Sequence, residues 1–177
     1  LESKNVVDPA DLRALEWDLG VRFDNTTAEM LGEGLIPTSY QKGNRYLSII
    51  ARAKMRCISM EQEYSDRGDY DLHWEELVFI NEVYSQYKAN KNKYDFTDMV
   101  ELFVEQGTAP TLDVLIVDEA QDLTPLQWKQ VKIIKQNSDR IWYAGDDDQC
   151  VHRWNGVEVE DFMDACDNKT VLSQSYR

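Results

Sequence analysis

The stretch LDVLIVDEAQD (112–122) constrains the fold more than any other part of the chain. Its VLIV core is too short for a helix and too continuously apolar for a strand with one wet face, so it predicts a strand buried on both sides. Thr124, Pro125 and Gln127 follow as a helix start, with a capping box and a proline in the first turn. A second apolar run, RIWYAGD (140–146), again ends in acid, and TVLSQSYR (170–177) reads as a third strand. Strands alternating with helices predict parallel β/α units, so the fold class is α/β.

The first half of the chain has another texture. Asp8-Pro9 opens a helix whose apolar stripe is Leu12, Leu15 and Leu19, with Gly20 as its stop. Residues 32–44 (GEGLIPTSYQKGN) read as a loop. From Arg45 to about Ser65, Leu47, Ile50, Met55 and Ile58 predict one long amphipathic helix ending near Gly68. Another helix runs from about Trp74 to Tyr87 with Leu77, Ile80 and Tyr84 on one side, and the polar run KANKNK (88–93) reads as a connector. DFTDMVELFVEQG (95–107) makes a short helix with acid in its first turn and Gly107 after its end. The organisation expected is a mostly helical subdomain, residues 1–92, joined to an incomplete parallel α/β core, residues 93–177.

Composition narrows the class. Hydrophobic residues at 42% and charged residues at 29% suit a packed globular chain. No run of 18 apolar residues is present to span a membrane, and LESKNVVDPADL lacks the layout of a secretory signal. The three cysteines, Cys57, Cys150 and Cys166, are odd in number and form no C-x-x-C, against both a disulfide framework and a zinc ribbon. A reducing, cytoplasmic setting is expected. The net charge of −14 is unlike that of a simple nucleic-acid binder, although the field in a groove depends on local charge.

In open α/β sheets, ligands bind beyond the carboxyl ends of the strands. Both acidic clusters, DEAQD (118–122) and GDDDQ (145–149), fall at that edge. An ion such as Mg²⁺ needs only one or two carboxylates when substrate phosphates supply other oxygens. A neighbouring glutamate can orient or deprotonate water for attack on a phosphoryl group. An apolar strand followed by Asp-Glu is therefore a Walker B candidate, although an acid at a strand end more commonly caps a turn.

The order VLIVDEAQD, then AGDDDQ-x-x-x-x-W-x-G, then QSYR resembles motifs II, III and IV of the UvrD/Rep family of superfamily 1 helicases. DFTDM (95–99) resembles the short acidic motif that precedes motif II there. The resemblance is close over about residues 93–177 and loose over the helical part. It implies an incomplete RecA-like core, 93–177, and a helical insertion subdomain, 1–92. It implies ATP and Mg²⁺ as cofactors, with Asp118 on the metal and Glu119 as the base for hydrolysis. Gln149 would sense the γ-phosphate, Tyr176 would stack on adenine and Arg177 would reach the γ-phosphate. Trp154 would stack on a base of single-stranded DNA, a contact worth about 1–3 kcal/mol, with His152 beside it. The partners implied are single-stranded DNA and single-strand/duplex junctions.

The chain also departs from that family. After Gln149 the usual S-I-Y-x-W-R-G is replaced by Cys150, Val151, His152, Arg153, Trp154, Asn155 and Gly156, so the DNA contacts at His152 and Asn155 differ. None of the eight glycines is followed by lysine, so the phosphate-cradling G-x-x-x-x-G-K-[ST] is missing. The expectation is an excised piece of a larger helicase, inactive alone. Rival readings are an acidic interaction module retaining a decayed ATPase core, and a metal-dependent phosphohydrolase using the aspartate run directly. The remaining tryptophans, Trp17, Trp74, Trp128 and Trp142, read as core, and His73 as a helix-start residue. Lys129, Lys132 and Lys135 read as an ordinary solvated face. Arg45, Arg52 and Arg56 recur on one helical face. They read as a surface stripe, or as phosphate contacts if the helical insertion lies over a duplex.

Overall fold

The computed structural model describes residues 3–24, 27, 30, 40–68, 71–146, 157, 159–165 and 168–171. Seven α-helices and two strands are defined among them. These are α1 (Pro9–Leu19), α2 (Lys42–Met55), α3 (Met60–Arg67), α4 (Trp74–Lys91) and α5 (Phe96–Gln106), then β1 (Leu112–Val117), α6 (Pro125–Gln136), β2 (Ser138–Tyr143) and α7 (Val159–Met163). No helix is long and apolar enough to cross a membrane among the described residues.

Local sequence accounts for most helix ends. Asp8 caps α1 by accepting from the Ala10 and Asp11 N–H groups, Asp11 returns the favour in a capping box, and Gly20 closes the helix in the left-handed region. Asp95 and Asp98 do the same for α5, and Thr124 with Gln127 for α6. Leu12, Leu15 and Leu19 of α1 meet Leu47, Ile49 and Ile50 of α2 and Leu77, Ile80 and Tyr84 of α4 in one buried cluster.

Three expectations for this half change. The single long helix is two helices, because Cys57 takes a left-handed conformation (φ 55°) after α2 and Ser59 then caps α3 by accepting from the Gln62 N–H. Lys42, Gly43 and Asn44, read as loop, form the first turn of α2. The polar run 88–93 is not a connector at first: α4 continues to Lys91, and Lys88 extends the buried stripe of Leu77, Ile80 and Tyr84. A lysine can occupy that stripe because its ammonium finds acids. Lys88 Nζ lies 2.7 Å from Asp95 Oδ2, 2.5 Å from Asp98 Oδ2 and 4.3 Å from the Tyr84 ring centre. Lys54 of α2 reaches the same group, 2.7 Å from Asp98 Oδ1 and 2.6 Å from Glu101 Oε2. The acidic DFTDM segment is thus the cap of α5 and the acceptor of two lysines from α2 and α4.

The arginine stripe is likewise occupied. Arg56 pairs with the fully buried Glu63 and lies 2.9 Å from Asp66. Arg52 Nε sits 3.0 Å from Glu63 Oε1, within ion-pair distance but off the hydrogen-bonding direction. Arg45 lies 3.9 Å from Asp71. These arginines join α2 to α3 and its neighbours and do not present an open cationic row. Lys129, Lys132 and Lys135 are exposed, as expected of a solvated face.

The strands form a parallel pair, with α6 as the crossover, in the register Val114 to Arg140 and Ile116 to Trp142. Leu115, Val117, Ile141 and Tyr143 pack with Trp128 and Val131 of α6. The opposite face does not match the expectation of burial on both sides: Ile116 is 69% and Trp142 66% exposed. No described element covers that face, so the strands have one dry side. Trp17 is also exposed on the outer side of α1, whereas Trp128 is core and Trp74 is half-buried against the α1–α2–α4 cluster. His73 is the cap position of α4, as read.

The two parts are tied together. Tyr94 exchanges backbone hydrogen bonds with the segment before α1 (Val7 N–H to Tyr94 O, 3.0 Å; Tyr94 N–H to Asn5 O, 2.7 Å). Helix α6 packs against α5 and α2. The third strand expected over 170–177 falls mostly outside the described residues.

Candidate functional site: the turn after the first strand

β1 ends at Val117, and the chain must turn sharply at the carboxyl edge of the sheet. Asp118 and Glu119 make that turn, both exposed. Asp118 Oδ1 accepts the Glu119 N–H at 3.0 Å. Glu119 adopts the left-handed conformation (φ 48°, ψ 40°), which costs a non-glycine residue about 1–2 kcal/mol and is held only where the surroundings fix it.

The surroundings fix it through β2. Ala144 N–H donates to Val117 O at 2.8 Å and Ala120 N–H to Ala144 O at 2.9 Å, so the parallel ladder continues past both strands into the turn. A single 3₁₀ turn, Ala120–Asp122, then leads to the cap of α6, with Asp122 N–H bonded to Glu119 O at 2.9 Å. Helix α7 packs on this turn, with Phe162 in the cluster around Ala120.

Gln121 is the buried member of the turn, only 1% exposed. Its Nε2 donates to Glu119 Oε2 at 2.8 Å, and its Oε1 accepts the Asp146 N–H at 3.1 Å. The backbone at Gly145 passes so close that an added Cβ would lie 2.4 Å from Gln121 Oε1 and 3.0 Å from Phe162 Cζ. Gly145 is therefore required by close approach, not by its backbone angles. Asp118 and Glu119 are the acids expected from the sequence; Gln121 is an addition, because no local signal reports its bond to Asp146.

Among the sequence-predicted site residues, the structure brings Asp118 and Glu119 together at the strand end. Gln149, His152, Trp154, Tyr176 and Arg177 lie outside the described residues. As for a metal, no group of three or more His, Cys, Asp or Glu able to hold an ion occurs among the described residues. The exposed Asp118 carboxylate could hold an ion whose shell is completed by water and phosphate oxygens.

A parallel strand–turn–helix–strand unit with paired acids at its carboxyl edge defines the class: an α/β core built to carry a polar site beyond its strands. The sequence matches the UvrD/REP helicase N-terminal domain model over residues 21–170, and the chain belongs to that family. It is 26% identical over 129 residues to DNA helicase II of Haemophilus influenzae, covering 66% of this chain and 17% of that protein. It is 28% identical over 90 residues to the ATP-dependent DNA helicase Rep of Buchnera aphidicola, 46% of this chain and 13% of that one. The ATP-dependent DNA helicase PcrA of Staphylococcus epidermidis aligns over 97% of this chain at 20% identity, and 24% of its own length is covered. The chain thus spans a quarter or less of each of these relatives.

Proposed function

We propose that this chain is the part of an ATP-driven DNA helicase that carries the hydrolytic acids and the start of the DNA-coupling loop. The observation carrying this reading is the pairing of Asp118 and Glu119 on a fixed turn at the carboxyl edge of a parallel sheet, in a chain of this family. Residues 93–177 are then an incomplete RecA-like core and 1–92 a helical insertion subdomain, working in the cytoplasm on single-stranded DNA and single-strand/duplex junctions.

Asp118 would hold Mg²⁺, directly or through water. When bound with ATP, the ion would neutralise charge on the phosphate oxygens. Glu119 would orient the attacking water and take its proton. The strained backbone supports that role, because it holds Glu119 at the strand end, where the residue is exposed. Gln149 and Arg177 would contact the γ-phosphate and Tyr176 the adenine. Trp154, with His152, would face single-stranded DNA, and ATP-driven changes at Gln149 would reach Trp154 five residues later along the same loop.

The test is ATP turnover by the full-length protein carrying this segment, with and without single-stranded DNA. Glu119→Gln should lower kcat by roughly two orders of magnitude or more, in the range of general acid–base contributions. Turnover indifferent to that substitution would refute the reading.

A further inference from the structure

We infer that Gln121 is a positioning residue that locks the Glu119 carboxylate to the backbone of the loop after β2, so that the orientation of the base follows the position of that loop. The inference rests on the function proposed above and adds a part to it.

The geometry leaves little choice about which way the amide faces. The Asp146 N–H can only donate, so it must meet the amide oxygen, which leaves the amide nitrogen to donate to Glu119 Oε2. The two distances, 3.1 Å and 2.8 Å, satisfy both ends of the amide at once. Burial of Gln121 to 1% exposure keeps water from substituting for either partner. The Gly145 backbone lies against the amide oxygen, so closely that a Cβ there would sit 2.4 Å from it. Asp146 is three residues before Gln149 and eight before Trp154. A displacement of that loop therefore pulls on Gln121 and, through it, on Glu119.

Two substitutions separate the polar link from simple filling of space. Gln121→Met keeps the length and removes the hydrogen bonds to Glu119 and Asp146, with the longer one to Asp122 at 3.4 Å. Gln121→Glu keeps the volume and the acceptor for Asp146 but sets a carboxylate oxygen against Glu119. Gly145→Ala leaves Gln121 itself intact and pushes its amide aside. In the full-length protein, kcat for DNA-stimulated ATP turnover should fall roughly tenfold or more in all three, the scale seen when an outer-shell partner is lost. Gln121→Glu should be the slowest. The KM for ATP should change less than twofold, because Gln121 holds the base and not the nucleotide. A readout independent of turnover is hydrogen exchange at the Asp146 amide, which should be protected in the wild type and quickened in Gln121→Met.

An Asp146 amide that exchanges equally in wild type and Gln121→Met would overturn the proposal. So would wild-type kcat in both Gln121→Glu and Gly145→Ala, which also decides the matter if Gln121→Met fails to fold. A KM rise with kcat kept would equally count against it, as the mark of a nucleotide contact. Loss of kcat in Glu119→Gln with none in the Gln121 and Gly145 variants would sink this inference alone. Turnover indifferent to Glu119 would remove the functional reading and the inference with it.

Discussion

Replacing Lys88 with methionine tests a heavily buried ion network between α4 and α5. Lys88 is 8% exposed at its side chain, as is Asp95, and Asp98 is 16% exposed. At 2.7 Å and an effective dielectric near 20, one such contact is worth about 6 kcal/mol of gross attraction. Removing charges from water costs several kcal/mol per ion, so most of that attraction is offset, and the pair adds little over an apolar equivalent. The single substitution is different. Methionine fits the stripe of Leu77, Ile80 and Tyr84, but it leaves the Asp95 carboxylate under the α4–α5 contact with neutral donors alone, the Tyr84 hydroxyl and the Asp98 N–H, and no ammonium partner among the described residues. Breaking a buried pair in this way costs about 3–5 kcal/mol. With a urea dependence of about 2 kcal/mol per molar, the unfolding midpoint of the chain should drop by about 2 M. Urea denaturation followed by tryptophan fluorescence reads it. A loss below about 1 kcal/mol would be the behaviour of an exposed pair and would refute the argument from burial.

Acid should act on the same network. Burial alone would push the Asp98 carboxyl up, but Lys88 and Lys54 together hold it below its ordinary value. Its stabilising contribution is therefore present above about pH 4, the unfolded carboxylate value, and is lost as pH falls through the lower folded value. Asp98→Asn should be less stable than wild type at neutral pH, with the two denaturation curves converging in strong acid; a constant gap down to pH 2 would contradict this. The arginine stripe should prove structural: Arg52→Ala with Arg56→Ala should cost about 3–5 kcal/mol by leaving Glu63 buried without its partners, and Glu63→Met should restore part of the loss. Unchanged stability in the double variant, with a flatter salt dependence of junction binding in the full-length protein, would return those arginines to DNA contact.

Local signals carried much of the fold. The Asp8-Pro9 start, the Thr124-Pro125-Gln127 box and the terminal glycines Gly20, Gly68 and Gly107 each act through neighbours within one turn of chain, and all appear where the sequence put them. The break between α2 and α3 was also readable, since Ser59 followed by Gln62 has capping spacing, but the apolar periodicity running across it hid the stop. Burial was harder to read. Ile116 and Trp142 look like residues covered from both sides, yet coverage depends on what packs above a strand, which the strand's own residues cannot report. Lys88 shows the converse: a polar letter in a polar run is buried because its partners lie on α5.

The site divides along the same line. Asp118 and Glu119 could be placed from sequence because a strand followed by two acids fixes where those side chains emerge. Gln121 could not, because its role depends on Asp146, 25 residues away in sequence, coming within hydrogen-bond distance. What brings it there is the pairing of β1 with β2: the ladder that runs from Val117 through Ala144 to Ala120 draws Asp146 beside the turn after β1. Gly145 then permits the last ångström of approach that any side chain would block. Glu119 and Gly145 are thus parts of one contact, and the glutamine between them bonds the turn after β1 to the backbone that follows β2.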